Sequence, residues 1–160
     1  MKIGIISDTH IPVSASAIPG KVIEYFSETD LILHAGDFID LAVLEELKRT
    51  SSVKAVHGNM DPPELKQILP RKKIIQVGSF KIGLIHGSGS PSGLMERIAE
   101  EFSGERLDAI VFGHSHSPYQ QIVDNVLFFN PGSPTDGLDS VNTFGLIEIA
   151  DRITARIIEL

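Results

Sequence analysis

The chain has 160 residues, with fourteen Lys and Arg against twenty-one Asp and Glu, a formal net charge of −7 and no cysteine. That length suits one domain over residues 1–160, which buries roughly two-thirds of its unfolded surface without disulfides or a structural metal. The composition excludes a disulfide scaffold, a thiolate metal site, an extended surface for nucleic acid and, lacking any run of ~18 apolar residues, a membrane helix.

The apolar stretch before Asp8 is far shorter than an export signal, so a soluble, cytoplasmic protein is expected. Residues 2–7 (KIGIIS), 31–35 (LILHA) and 53–56 (VKAV) are apolar runs of strand length and predict buried parallel strands. Between them, residues 21–27 and 41–49 have helical spacing, and Asp40 is placed to cap the second helix. Residues 73–77 and 80–85 flank Gly78-Ser79, a competent tight turn, and predict a hairpin that runs into His86. A helix over 94–102 follows, with Leu94, Ile98 and Phe102 on one stripe that reads as core. Short strands over 109–112, 121–123, 126–129, 143–149 and 154–158 complete an α/β layered pattern, with turns at Asp124-Asn125 and Asp151-Arg152.

Chemistry concentrates at the ends of these strands. Asp8 and His10, Asp37, Asn59, His86, and the pair His114 and His116 each follow a predicted strand, where loops of an open α/β sheet converge. Gly36, Gly58, Gly87 and Gly113 adjoin them and let the chain turn beside a crowded centre. Imidazole, carboxylate and amide oxygen without thiolate suit Mn²⁺, Ni²⁺, Fe²⁺ or Zn²⁺, and seven donors exceed one tetrahedral site. Two divalent ions fit the count. They bring four positive charges; Asp8, Asp37 and a bridging hydroxide remove three, leaving about +1 to meet a singly charged phosphodiester.

The ordered motifs Asp8-x-His10, Gly36-Asp37, Gly58-Asn59, His86-Gly87 and Gly113-His114-x-His116 resemble those of the calcineurin-like metallophosphoesterases. The short chain and Asn130-Pro131-Gly132-Ser133 resemble the small prokaryotic phosphodiesterases of that superfamily. The resemblance implies a four-layer α/β/β/α sandwich of two mixed sheets flanked by helices. It implies that Asp8, His10 and His116 hold one metal, Asn59, His86 and His114 the other, and that Asp37 bridges them. It further implies two divalent ions, Mn²⁺ first, a bridging hydroxide as nucleophile, and a catalytic role for Asp37, Asn59 and His86 on a small phosphodiester. One departure stands out: Met60 follows Asn59 where many relatives carry a histidine that protonates the leaving group, and the segment after Ser133 lacks an arginine.

Several neighbours admit a plainer reading. His34 reads as a hydrogen-bonded structural histidine, whereas His57 would share a face with Asn59 and support it if the strand continued. Asp61 either accepts from a ligand histidine or opens an ordinary Asp-Pro-Pro loop. Asn130 to Ser133 form either an anion-binding nest or a turn, and Arg71-Lys72-Lys73 reads as a solvated strand start. Two other functions are compatible with the motifs: a phosphomonoesterase, and a non-catalytic scaffold like the retromer subunit that shares the implied fold. Apolar surface in the hairpin region is compatible with a homodimer.

Overall fold

The computed structural model describes residues 1–160. In chain order the first half runs β1 (Lys2–Ile6), α1 (Gly20–Ser27), β2 (Leu31–His34), α2 (Leu41–Thr50), β3 (Val53–Ala55), α3 (Pro63–Ile68), β4 (Lys72–Val77) and β5 (Phe80–Ile85). The second half runs α4 (Leu94–Glu101), β6 (Ala109–Val111), β7 (Tyr119–Val123), β8 (Val126–Asn130), a 3₁₀ turn at Leu138–Ser140, β9 (Thr143–Ile149) and β10 (Ile153–Glu159). Two five-stranded sheets result, ordered β10-β9-β1-β2-β3 and β4-β5-β6-β8-β7. Both are mixed: β1, β2 and β3 are parallel, as are β5, β6 and β8, while β9, β10, β4 and β7 join antiparallel.

Period-2 alternation explains the layering. In β1, Ile3 and Ile5 face the second sheet and meet Ile82, Leu84, Val111 and Phe129 in the core between the sheets. Ile6 faces the other way, into a second core with Val22 and Phe26 of α1 and Leu44 and Leu47 of α2. Gly4 also faces α1, where a Cβ would come 2.6 Å from the Phe26 ring. On the far side, the α4 stripe of Leu94 and Ile98, with Phe102 just beyond it, covers Ile85, Ile110 and Phe128. The order is helix, sheet, sheet, helix, as the resemblance implied. Each of these large side chains contributes roughly 1.5–3 kcal/mol on burial, so the three cores bind the layers together.

Elements with a clear period fall where the sequence places them. Asp40 caps α2 by accepting from Ala42 N–H at 2.8 Å. The β4–β5 hairpin turns at Gly78, whose φ of 59° lies in the left-handed region that glycine enters freely. The helix α3 is an element that residue patterning does not announce. Six residues give little periodicity, but Pro63 sits at its first turn, where a missing N–H costs nothing. Its Leu65 is fully buried in the core beneath α1 and α2.

Candidate metal centre at the strand ends

The carboxyl ends of β1, β2, β3, β5 and β6 converge on one edge of the sandwich and carry Asp8 and His10, Asp37, Asn59, His86, and His114 and His116 respectively. All seven sequence-selected residues are brought together. Asp8 N–H donates to Gly36 O and His10 N–H to Asp37 O, stitching the first two loops side by side. Five of the seven, Asp8, His10, Asp37, His114 and His116, have φ between 43° and 72°. Left-handed backbone at non-glycine residues carries strain, and its concentration at one spot marks a place where side-chain direction matters more than local comfort.

The inner atoms are closely spaced. Asp37 Oδ2 lies 3.4 Å from His10 Nε2 and 3.2 Å from His86 Nε2. Asp8 Oδ1 lies 3.4 Å from His116 Nε2 and 3.9 Å from His86 Nε2. Asn59 Oδ1 stands 3.1 Å from both His86 Nε2 and His114 Nδ1. Atoms bound to one ion at about 2.1 Å are separated by roughly 3.0–3.4 Å, so this spacing is that of ligand sets.

The other ring nitrogens decide what faces inward. His86 Nδ1 is 2.8 Å from Ala35 O, His114 Nε2 is 2.7 Å from Gly89 O, and His116 Nδ1 is 2.8 Å from Asp136 O. A carbonyl only accepts, so each of those nitrogens carries the hydrogen and each neutral ring turns a lone pair toward the centre. Three lone pairs then confront carboxylate and amide oxygens that are themselves acceptors. Such a cluster of acceptors is repulsive unless protons or metal cations stand between them. The donor set fits divalent metal ions, and Asp37 Oδ2, lying between His10 and His86, fits an atom shared by two of them.

Electrostatics agree. For His86, burial opposes charge, but the Asp37 hydrogen bond and the charges of Asp8 and Asp37 outweigh it and raise the imidazole to about 9. A proton and a metal ion therefore compete for one strongly basic lone pair. His10 is raised, chiefly by its hydrogen bond to Asp37. Asp37 is lowered: burial pushes it up, and the His10 and His86 hydrogen bonds more than compensate.

Around this ring the structure sorts the plainer readings. Asp61, 2% exposed, takes neither proposed role; its carboxylate accepts from four backbone N–H groups, those of Asp37, Phe38, Ile39 and Gly58, at 2.6–3.0 Å. It clamps the loop that aims Asp37. Gly58 is required by that closeness, since a Cβ there would lie 2.1 Å from Asp37 Oδ1. Likewise a Cβ on Gly113 would lie 1.9 Å from Ser7 Oγ. His34 is structural as expected: its Nδ1 accepts from Gly36 N–H, its Nε2 faces Thr9 Oγ1 at 3.2 Å, and its ring stacks on Phe38. Burial holds it well below the usual histidine range.

The residues from Asn130 to Ser133 do not form an open nest. All four are buried, Gly132 N–H donates to Asn130 Oδ1, and Ser133 Oγ donates to Asp8 O. They buttress the Asp8 loop. His57 does not support Asn59; its ring nitrogen approaches its own neighbour, Gly58 O, because β3 stops at Ala55 and strand alternation ends with it. Arg71 is not simply solvated, since it pairs with Glu101. Met60 is 56% exposed, and its N–H donates to Asp37 Oδ1 at 2.7 Å. Asp136, which sequence reasoning missed, sets its Oδ2 3.5 Å from His10 Nδ1 and 3.4 Å from His116 Nδ1.

Comparison with known proteins agrees with this geometry. The model of the calcineurin-like phosphoesterase superfamily domain matches residues 1–152. A probable metallophosphoesterase of Methanothermobacter thermautotrophicus is 41% identical over 137 residues, covering 84% of this chain and 78% of the relative. Among solved structures, one described as a novel archaeal phosphodiesterase is 29% identical with a TM-score of 0.80 and covers 100% of both chains. Vps29 of Chaetomium thermophilum, 22% identical with a TM-score of 0.79 over 100% of this chain and 97% of that one, shares the fold.

Proposed function

The chain belongs to the calcineurin-like phosphoesterase superfamily, and from that premise we propose that it is a phosphodiesterase that works through two divalent ions, Mn²⁺ before Ni²⁺, Fe²⁺ or Zn²⁺. Asp8, His10 and His116 would hold one ion, Asn59, His86 and His114 the other, and Asp37 would serve both. The observation that carries this reading is the set of inward lone pairs fixed by the carbonyls of Ala35, Gly89 and Asp136 against buried acceptor oxygens. Bound there, the ions would supply Lewis acidity toward a phosphoryl oxygen and lower the pKa of water toward neutral.

The chain's own groups do the rest. Asp61 fixes the loop that presents Asp37, and Asn130 and Ser133 fix the loops that present His114 and Asp8. The outer N–H groups of His86, His114 and His116 are tied to carbonyls, which turns their other nitrogens inward as ligand atoms. A diester, rather than a monoester dianion, matches the charge of about +1 left when Asp8, Asp37 and one hydroxide are set against two dications, and the similarity to an archaeal phosphodiesterase supports the same choice. With Met60 exposed where a proton donor would stand, an alkoxide leaves slowly. Nitrophenyl diesters are therefore expected to turn over much faster than unactivated ones, and equal rates would contradict this part.

The direct test loads the protein with Mn²⁺ and follows bis(4-nitrophenyl) phosphate beside 4-nitrophenyl phosphate. The diester is expected to be preferred. Asp37→Asn is expected to lose metal and to lower kcat by more than the ~100-fold typical of losing a supporting residue. Unchanged metal content and turnover in that variant would sink the reading.

A further inference from the structure

A trough leaves the donor ring on the side of Asn59 and His86. Its inner part is a cavity of about 210 Å³ that touches both residues, and its outer part is a cavity of about 450 Å³. Arg71, Ile85, Gly87 and Ser88 line both, so the two adjoin. Its size falls within the few hundred Å³, roughly 300–1,000, of ordinary small-molecule sites.

The walls state what the space is suited to hold. No Phe or Tyr lines either part, Ile85 and Ile98 are the only large apolar residues, and His57 is the only ring besides the donor His86, so apolar and stacking contact is sparse. Charge is what remains. Lys66, Arg71, Lys72 and Arg97 stand against Glu100 and Glu101, a local surplus of two positive charges in a chain whose net charge is −7. Lys66 Nζ donates to the main-chain oxygen of Asn59 at 2.9 Å, which puts a cation beside the reacting centre. Arg71 holds Glu101 through Nη1 at 2.7 Å and through Nη2, and three of its five N–H groups remain for another anion. Arg97 donates to the carbonyls of Ser88, Ser90 and Ser92, fixing the rim that carries Gly89 O against His114.

We infer that this trough is the leaving-group subsite and that it takes an alcohol bearing a second phosphate, so the preferred substrates are phosphodiesters with a phosphomonoester tail. The inference rests on the phosphodiesterase reading and narrows its substrate class. The scissile monoanion meets the small charge of the metal centre; the tail dianion meets Lys66 and Arg71. In the step, a water oxygen bonds to phosphorus, the bond from phosphorus to the tailed alcohol's oxygen breaks, and that oxygen takes a proton from solvent. The products are a monoester and the phosphorylated alcohol.

Two readouts on the Mn²⁺-loaded protein test it. Calorimetry compares adenosine 3′,5′-bisphosphate with AMP, and turnover compares diadenosine dinucleotides with and without a terminal phosphate, placed in separate arms at the 5′ and the 3′ end. At least a fivefold preference for the second phosphate is expected in binding and in kcat/KM for one of the two ends, and Arg71→Gln is expected to reduce that ratio to less than half. A ratio below five in the wild-type protein, or one unchanged in Arg71→Gln, overturns the subsite. Turnover of bis(4-nitrophenyl) phosphate separates the two claims: if it occurs without a tail preference, the subsite alone fails. If it is absent while the binding preference persists, the anion site stands and the phosphodiesterase reading fails.

Discussion

The two halves of the donor ring are built differently. Around Asp8, His10 and His116 the surroundings are acidic: Asp8 is fully buried, and both histidines turn Nδ1 toward the half-exposed Asp136 carboxylate. Around Asn59, His86 and His114 every donor is neutral, the outer nitrogens rest on the carbonyls of Ala35 and Gly89, and the space opens into the trough. Carboxylates favour a dication more strongly than amides and imidazoles do. The first half is thus suited to retaining an ion and the second to admitting substrate, with Asp37 between them as the common atom. Two ions are expected to bind with unequal affinity, the tighter one beside Asp8.

The comparison breaks most severely at Asp61, which holds the shared carboxylate in place for both halves. Asp61→Ala orphans four N–H groups, three of them buried. A loss of about 3–5 kcal/mol is expected in urea denaturation, as for other buried charges removed from their partners, with weaker metal binding at both positions. A change within about 0.5 kcal/mol, typical of an unengaged surface residue, would contradict the clamp.

Asp136→Ala separates the halves. Loss of a carboxylate that supports ligand histidines typically costs 10–100-fold in metal affinity, and the loss is expected only for the tighter ion in a calorimetric titration. Equal weakening of both ions would erase the distinction drawn between them.

The smallest expected effect is a pH dependence from His34, which touches neither set of inner atoms. Its folded pKa is lowered well below 6.5 by burial, so the unfolded chain binds the extra proton first as pH falls. Stability from this group is complete above about pH 6.5 and declines below it by up to ~1.4 kcal/mol per pH unit. The difference in denaturation midpoints between the wild-type protein and His34→Gln, followed in metal-free buffer from pH 7 to 5, should narrow accordingly. A constant difference would show that His34 does not stay neutral.

Much of this arrangement was legible in the residues because the signals were local. A strand is followed by a polar donor with a glycine beside it, before Asp37, Asn59 and His114 and after His86, so each could be placed at a strand end before any contact was known. The sandwich followed from the alternation of short apolar runs with amphipathic stripes. What stayed hidden depends on distance. Asp136 approaches His10 across 126 residues of chain, and Thr-Asp-Gly reads only as loop. Asp61 looks like a turn opener because its partners are main-chain N–H groups, which leave no mark in side-chain patterning. The reading of His57 failed for a physical reason: facing rules hold only while the strand lasts, and β3 ends two residues earlier.

Two cations sharing Asp37 are the core of the proposed function, and anomalous scattering from a crystal soaked in Mn²⁺ tests them most directly. Two peaks about 3.5–4 Å apart are expected, one within bonding distance of Asp8, His10 and His116, the other of Asn59, His86 and His114, with Asp37 reaching both. A single peak, or two that do not share Asp37, would contradict it.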